Sequence, residues 1–255
     1  MPDIQTFLIV CPLVLLAGFV DAIGGGGGLI SLPAYLLAGL PAHTAIATNK
    51  LSSTCGTALA TVRFARRGLM HWRMAWPSMA AGLAGSWCGA HLSMLVDSAV
   101  LERVLYLVLP LTALLVLRKD ALRDEAPRRE DGGRRTALIA AGASLLIGVY
   151  DGFYGPGTGT FLILFLTTVA RMRLTTANGI TKAINFSSNI AALTVFLIHG
   201  QAIVPLGLTA GVFSVVGNYL GTRVFDKKGA RAVKPVMLTV IAVFFVKVLY
   251  ELLSN

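Results

Sequence analysis

Long apolar stretches follow one another along this chain, and short polar stretches separate them. A helix needs about 20 mostly apolar residues to cross a bilayer. By that length, the first half predicts membrane segments at 4–23, 28–40, 43–65, 74–96 and 99–117. The second half predicts them at 136–153, 158–170, 174–199, 202–223 and 233–252. The second segment of each half, at about 12 residues, is too short for a full crossing.

The two halves repeat one another at nearly constant spacing. Asp21 and Asp151 each precede a glycine-rich run and are 130 residues apart, and Lys50 and Lys182 are 132 residues apart. Further matches are Thr44-Ala45 with Thr176-Ala177, Gly68 with Gly200, and Gly85-x-x-x-Gly89 with Gly217-x-x-x-Gly221. This many matched landmarks indicate an internal duplication.

The basic residues predict how each half lies in the membrane. The loop 63–73 is rich in arginine, whereas its counterpart 195–205 has no Lys or Arg. The loop 38–44 has none, whereas its counterpart carries Arg171 and Arg173. Because loops rich in Lys and Arg face the cytoplasm, the halves are expected to be inserted upside-down relative to each other. Such inverted repeats are typical of secondary transporters.

These patterns predict an all-α polytopic membrane protein: an inverted-topology duplicated helical bundle with broken and short helices and about 8–10 membrane segments. We divide the chain into a first membrane repeat (1–117), a cytoplasmic linker (118–135) and an inverted second repeat (136–255). Five crossings per half satisfy the inversion, and so do three crossings with a re-entrant pair. The expected location is the cell inner membrane.

Composition supports a membrane location and argues against other classes. Hydrophobic residues make up 55% and charged residues 13% of the chain, against about a quarter charged in soluble domains. The net charge is +10, and 19 of the 22 basic residues lie at or between the ends of apolar segments, which favours contact with lipid over nucleic acid. The three cysteines are isolated, and no nucleotide-binding or catalytic motif is present. We therefore expect no metal, no cofactor and no enzymatic activity.

The glycine-rich runs are the first candidate for a site. Gly24–Gly28 follows Asp21, and Gly155-Pro156-Gly157-Thr158-Gly159 follows Asp151. Glycine and proline disfavour helix, and broken backbone at membrane depth is tolerated where it lines a cavity or is buried in protein. Freed N–H groups beside a helix N-terminus suit an anion. The candidate residues are Gly25, Gly26, Gly27, Gly157 and Thr158; close helix packing is the alternative explanation.

Lys50 and Lys182 are the second candidate, since each lies within an apolar segment. A charge in the bilayer costs a few kcal/mol or more, so such residues face the protein interior and are usually functional. The neighbouring polar residues that would complete a substrate site are Asn49, Ser53, Thr181 and Asn185. The leading hypothesis is that both ammonium groups converge on one anion.

Two other roles for the lysines stay open. Each lysine could pair with Asp21 or Asp151 and so hold the broken helices, or it could extend to the membrane interface. Asp21 and Asp151 could alternatively carry a coupling proton.

The first-half motif resembles a known family. Gly-Phe-Val-Asp-Ala-Ile-Gly-Gly-Gly-Gly-Gly-Leu-Ile-Ser-Leu-Pro, from residue 18, and Ala-Thr-Asn-Lys-Leu-Ser-Ser-Thr, from residue 47, are similar to the TauE/SafE sulfite exporter family, most closely to its YfcA-like members. The resemblance covers essentially the whole chain and implies transport of sulfur-containing anions such as sulfite and organosulfonates. Asn49 corresponds to Thr181, so the two half-sites differ chemically.

The leading functional hypothesis is a secondary transporter or exporter of a small anion, working by alternating access around a site near the membrane midplane. A passive anion channel and a membrane assembly or sensor protein without transport are the alternatives. The expected partners are the anion and membrane lipid. The sequence leaves a monomer and a homodimer both open.

Overall fold

The computed structural model of this protein describes residues 2–101, 103, 133–228 and 235. The described residues contain no β-strand, and we number their helices α1 to α8 in chain order. These are α1 (Ile4–Gly24), α2 (Gly28–Leu37), α3 (Ala42–Arg66), α4 (Trp72–Met94), α5 (Arg134–Phe153), α6 (Thr158–Thr168), α7 (Leu174–Ile198) and α8 (Val204–Lys228). The all-α fold class is confirmed.

Each helix corresponds to one predicted membrane segment, with ends that differ by a few residues. The segments predicted at 99–117 and 233–252 lie almost wholly outside the described residues. The helix α5 begins at Arg134, within the range assigned to the linker. The helix α8 continues past its predicted end, and in this last part Asp226 contacts Arg63 of α3 at 3.5 Å. The division into two repeats and a linker stays a prediction.

The helices have the lengths and composition of a multi-pass membrane protein. By length and hydropathy, α1, α5, α7 and α8 each qualify as membrane spans. The helices α3 and α4 have 25 and 23 residues and are long enough, although α3 carries many polar side chains. The helices α2 and α6 have only 10 and 11 residues, as expected for broken segments.

Helix packing repeats with an approximate two-fold relationship between the halves. The first helix of each half packs along the fourth helix of the other: α1 on α8, and α5 on α4. The third helices, α3 and α7, pack on each other and on the partner half's fourth helix. Both Gly-x-x-x-Gly motifs lie in the equivalent contact, where their missing Cβ atoms let the two backbones approach closely. The halves are therefore interleaved rather than side by side.

The helices α3 and α7 run in opposite directions where they cross. Lys50, in the first half of α3, contacts Asn189 in the second half of α7 at 3.1 Å. Phe64, near the end of α3, lies beside Gly179 near the start of α7. Equivalent helices that run antiparallel are what an inverted duplication requires.

Candidate functional site

The two broken helices meet at the centre of the molecule. Gly25, which ends α1, has a φ of 75°, a left-handed conformation that favours glycine. A Cβ atom at Gly25 would overlap the backbone of Gly159, at the start of α6. The hydroxyl of Thr160 donates to the carbonyl of Gly24 at 3.3 Å. The breaks of both halves are thus in direct contact.

Both intramembrane lysines form ion pairs with an aspartate of the other half. Lys50 Nζ lies 2.8 Å from Asp151 Oδ2, and Lys182 Nζ lies 3.0 Å from Asp21 Oδ2. The lysine side chains are 4% and 0% exposed, so neither extends to the membrane interface. Removing one partner of such a pair would leave a buried charge without compensation.

A cavity of about 50 Å³ opens between α1, α3, α8 and the two breaks. One water needs a cavity volume of about 10–15 Å³, so this cavity admits a few waters or a small ion. The predicted site residues that line it are Gly25, Gly27, Asn49, Lys50, Ser53, Gly157, Thr158 and Asn185, together with Asp21 and Asp151. Further lining residues include Ser31, Thr57, Ser214 and Asn218.

Three predicted site residues, Gly26, Thr181 and Lys182, do not line this cavity. Lys182 lies behind Asp21 and is fully buried. Each lysine lies four residues before the centre of its helix, which is about 6 Å along the axis. Because α3 and α7 are antiparallel, the lysines lie on opposite sides of the crossing. The structure therefore does not bring both ammonium groups into one cavity.

Ser188 and Asn189 flank Lys182 in the sequence but serve the other ion pair. Ser188 Oγ donates to Asp151 Oδ2 at 2.7 Å, and Asn189 Oδ1 accepts from Lys50 Nζ at 3.1 Å. The sequence shows that Ser188 and Asn189 follow Lys182 by six and seven residues on α7. It does not show which residues they contact, because those contacts depend on how α7 crosses α3.

Comparison with known proteins assigns the chain to a family. A family model described as "Sulfite exporter TauE/SafE" matches residues 10–248. The chain belongs to the TauE/SafE sulfite exporter family. It is similar to the "Probable membrane transporter protein YfcA" of Escherichia coli (strain K12), at 34% identity over 98% of this chain and 95% of the relative. It is also similar to the "Probable membrane transporter protein ORF9" of Sinorhizobium sp, at 36% identity over 96% and 92%.

A third relative, a "Probable membrane transporter protein" of Haemophilus influenzae, is 32% identical over 92% of this chain and 91% of its own length. No solved structure matches this TauE/SafE chain. The resemblance noted in the sequence is confirmed, and the chain is a membrane transporter of this family with several membrane-spanning helices.

The cavity of this TauE/SafE transporter combines opposite charges with polar groups. Its charged lining residues, among those described, are Lys50, Asp151 and Asp21. With Lys182 behind Asp21, the four charges balance. Asn185 Oδ1 and Asn218 Oδ1 are buried without a hydrogen-bond partner, which is unusual for buried polar atoms. An anion entering this cavity would meet one ammonium group, four amide side chains and the N-terminal ends of α2 and α6, beside the carboxylates of Asp21 and Asp151.

Proposed function

We propose that this protein is a secondary transporter that carries a small anion, sulfite or an organosulfonate, across the cell inner membrane by alternating access. The observation that carries the proposal is Lys50, a buried ammonium group that lines a cavity where two broken helices meet. Charged residues at membrane depth typically mark substrate or ion pathways. Broken helices in matching positions of two inverted repeats are the usual substrate site of such transporters.

The ends of the short helices add to the attraction for an anion. Gly27 and Gly28 at the start of α2, and Thr158 at the start of α6, line the cavity. A helix N-terminus stabilises a nearby negative charge by about 0.3–1 kcal/mol, and by up to about 2 kcal/mol when partly buried. Lys50 supplies the full positive charge, so it is expected to contribute the larger share of the binding energy.

The position of the cavity supports alternating access. The two equivalent helix contacts are equally close: a Cβ at Gly18 would lie 2.6 Å from the carbonyl oxygen of Ser214, and one at Gly148 would lie 2.7 Å from that of Gly82. The cavity is nevertheless on one side, because α1 and α8 both line it, whereas among the described residues α4 supplies none of the lining and α5 supplies only Asp151. A rearrangement that closes the α1–α8 side and opens the α4–α5 side would give an anion held at Lys50 access to the other face of the membrane.

The substrate class rests on the family and on the size and charge of the cavity. The matching family model is described as a sulfite exporter, and a cavity of about 50 Å³ suits anions of a few heavy atoms. Larger dicarboxylates would require more space. Sulfite and short-chain sulfonates are therefore the first candidates to measure.

The test is uptake by purified protein reconstituted into liposomes. Sulfite, methanesulfonate, sulfate and acetate are offered separately, with empty liposomes and a Lys50→Ala variant as controls. We expect saturable uptake of sulfite or methanesulfonate that the variant loses. Trans-acceleration by the same anion inside the vesicle identifies a transporter, whereas a channel shows none. Absence of flux for every anion would contradict the proposal.

A further inference from the structure

The two ion pairs have the same chemistry but different surroundings. Among the described residues, the polar partners of Lys50 Nζ are side-chain atoms: Asp151 Oδ2 at 2.8 Å and Asn189 Oδ1 at 3.1 Å. Lys182 contacts the carboxylate of Asp21 and also donates to the main-chain carbonyl of Asp21. Lys50 and Asp151 both line the cavity, whereas Lys182 does not. The two pairs therefore differ in their contacts in this conformation.

The helix α7 holds the C-terminal end of α1 through main-chain contacts. Beside Lys182, the amide of Asn178 donates to the carbonyls of Ala22 and Ile23, at 3.3 and 3.1 Å. The last carbonyls of a helix lack partners within it, and a cation there interacts favourably with the helix dipole. Lys182 and Asn178 together form a fixed anchor for the end of α1.

The first half lacks this anchor at the equivalent place. The residue 132 positions before Asn178 is Ile46, which has no side-chain donor. Lys50 Nζ donates to no main-chain carbonyl among the described residues. If Lys50 turns away, Asp151 keeps a second donor, Ser188 Oγ at 2.7 Å. The Lys50–Asp151 pair can open without releasing the end of α5.

An anion bound at Lys50 would be repelled by a neighbouring negative charge. It would lie beside the carboxylate of Asp151, and two negative charges in a water-poor site cannot both persist at low cost. Uptake of one proton by Asp151 removes the conflict. The protonated carboxyl then has no need of Lys50, whose full charge becomes available to the anion.

We propose that the Lys50–Asp151 pair is the coupling switch of this transporter, with Asp151 taking up one proton for each monovalent anion that binds Lys50, while the Lys182–Asp21 pair stays closed. The inference rests on the proposed function. The proton enters from the same side as the anion and resides on the Asp151 carboxylate during the change of access. It leaves on the opposite side with the anion, and the Lys50–Asp151 pair re-forms. A monovalent anion and a proton thus move together without net charge.

The groups around Asp151 favour this assignment. From α3 it meets Lys50, and from α7 the uncharged Ser188. The helix α6 contains no titratable residue, and the titratable residues of α4 are exposed: Arg73, Cys88 and His91. The other charged residue at the cavity, Asp21, is held by Lys182. Among the described residues, Asp151 is the acid at the cavity whose partner an anion can replace.

The test measures proton and anion fluxes together in liposomes. Methanesulfonate is the probe, because it carries one negative charge and no titratable proton near neutral pH. A trapped pH-sensitive dye reports internal acidification, and a potassium gradient with valinomycin sets the membrane potential. For the wild-type protein we expect one proton per methanesulfonate and no effect of an inside-negative potential on uptake.

The informative variant is Asp151→Asn, and Asp226→Asn, outside the cavity, is the matched control. The Asp151→Asn variant should carry the anion without acidification, and an inside-negative potential should slow it. Asp226→Asn should keep one proton per anion. If wild-type uptake proves electrogenic and without proton flux, the coupling proposal is wrong while the transport function stands. Persistent acidification with Asp151→Asn would overturn the role of Asp151. Absence of wild-type uptake for every anion of the panel would instead overturn the proposed function.

Discussion

The ammonium group of Lys50 and the carboxylate of Asp151 lie 2.8 Å apart, although one belongs to the third helix of the first half and the other to the first helix of the second half. In the equivalent pair, Lys182 of the second half lies 3.0 Å from Asp21 of the first half. Each half therefore supplies a cation for the other half's broken helix. The pairs link the halves at the point where the two helix breaks touch.

Lys50→Ala should destabilise the protein by about 3–5 kcal/mol, because it leaves Asp151 buried without a counter-charge. The double variant Lys50→Ala/Asp151→Asn should recover most of that loss, since no uncompensated charge remains. Thermal unfolding in detergent measures both effects. A single variant as stable as the wild-type protein would show that Asp151 does not depend on Lys50.

The second ion pair should respond differently to the same treatment. Lys182→Ala should be at least as destabilising, and adding Asp21→Asn should restore less than in the Lys50 case. The reason is that Lys182 also donates to the main-chain carbonyl of Asp21. The double variant loses this charge-assisted hydrogen bond, worth about 1.5–3 kcal/mol, although the carbonyl keeps the N–H of Gly25. The comparison uses the same unfolding assay. Equal recovery in the two pairs would contradict the anchoring role of Lys182.

Gly25→Ala should abolish or greatly reduce the folded protein. A left-handed conformation costs an alanine about 1–2 kcal/mol, and the new methyl group would also overlap the backbone of Gly159. Gly142→Ala is the matched control, because Gly142 lies within α5 and has no atom within 4 Å of the added Cβ. In that helix the change should be neutral or slightly stabilising. The yield of monodisperse protein after solubilisation distinguishes the two.

The inverted topology can be tested by cysteine labelling after replacing Cys11, Cys55 and Cys88 by alanine. A membrane-impermeant maleimide should label His199→Cys in intact cells, because the α7–α8 loop is predicted to face outward. Arg66→Cys, at the basic end of α3, should react only after permeabilisation. Both positions are exposed, so access to the reagent decides the result. Labelling of both in intact cells would contradict the inversion.

The helices were largely predictable because their boundaries depend on the local amino-acid sequence. Apolar runs of membrane length and the glycine-rich interruptions place α1, α2, α5 and α6 within a few residues. The repeat also predicted that Lys50 and Lys182 would occupy equivalent positions. These features depend on hydrophobicity and backbone preference, which act over a few neighbouring residues.

The partners within the site were not predictable in the same way. Which aspartate meets which lysine depends on how α3 crosses α7, and that is decided by packing between residues more than a hundred positions apart. Asn178 could not be predicted as a contact of α1, because an asparagine early in a helix has no special sequence pattern, yet its amide donates to the end of α1. The separation of Lys182 from the cavity likewise depends on tertiary packing.

The crossed lysine–aspartate arrangement also affects how the molecule is made. Asp21 precedes Lys182 by 161 residues, and ribosomes add about 5–20 residues per second. For roughly 8–32 s of synthesis at that rate, α1 exists without the cation that neutralises its acid. During that interval Asp21 must be protonated, reach water, or be sheltered by the insertion machinery. Biogenesis of the first half should therefore be the step most sensitive to the loss of assisting factors.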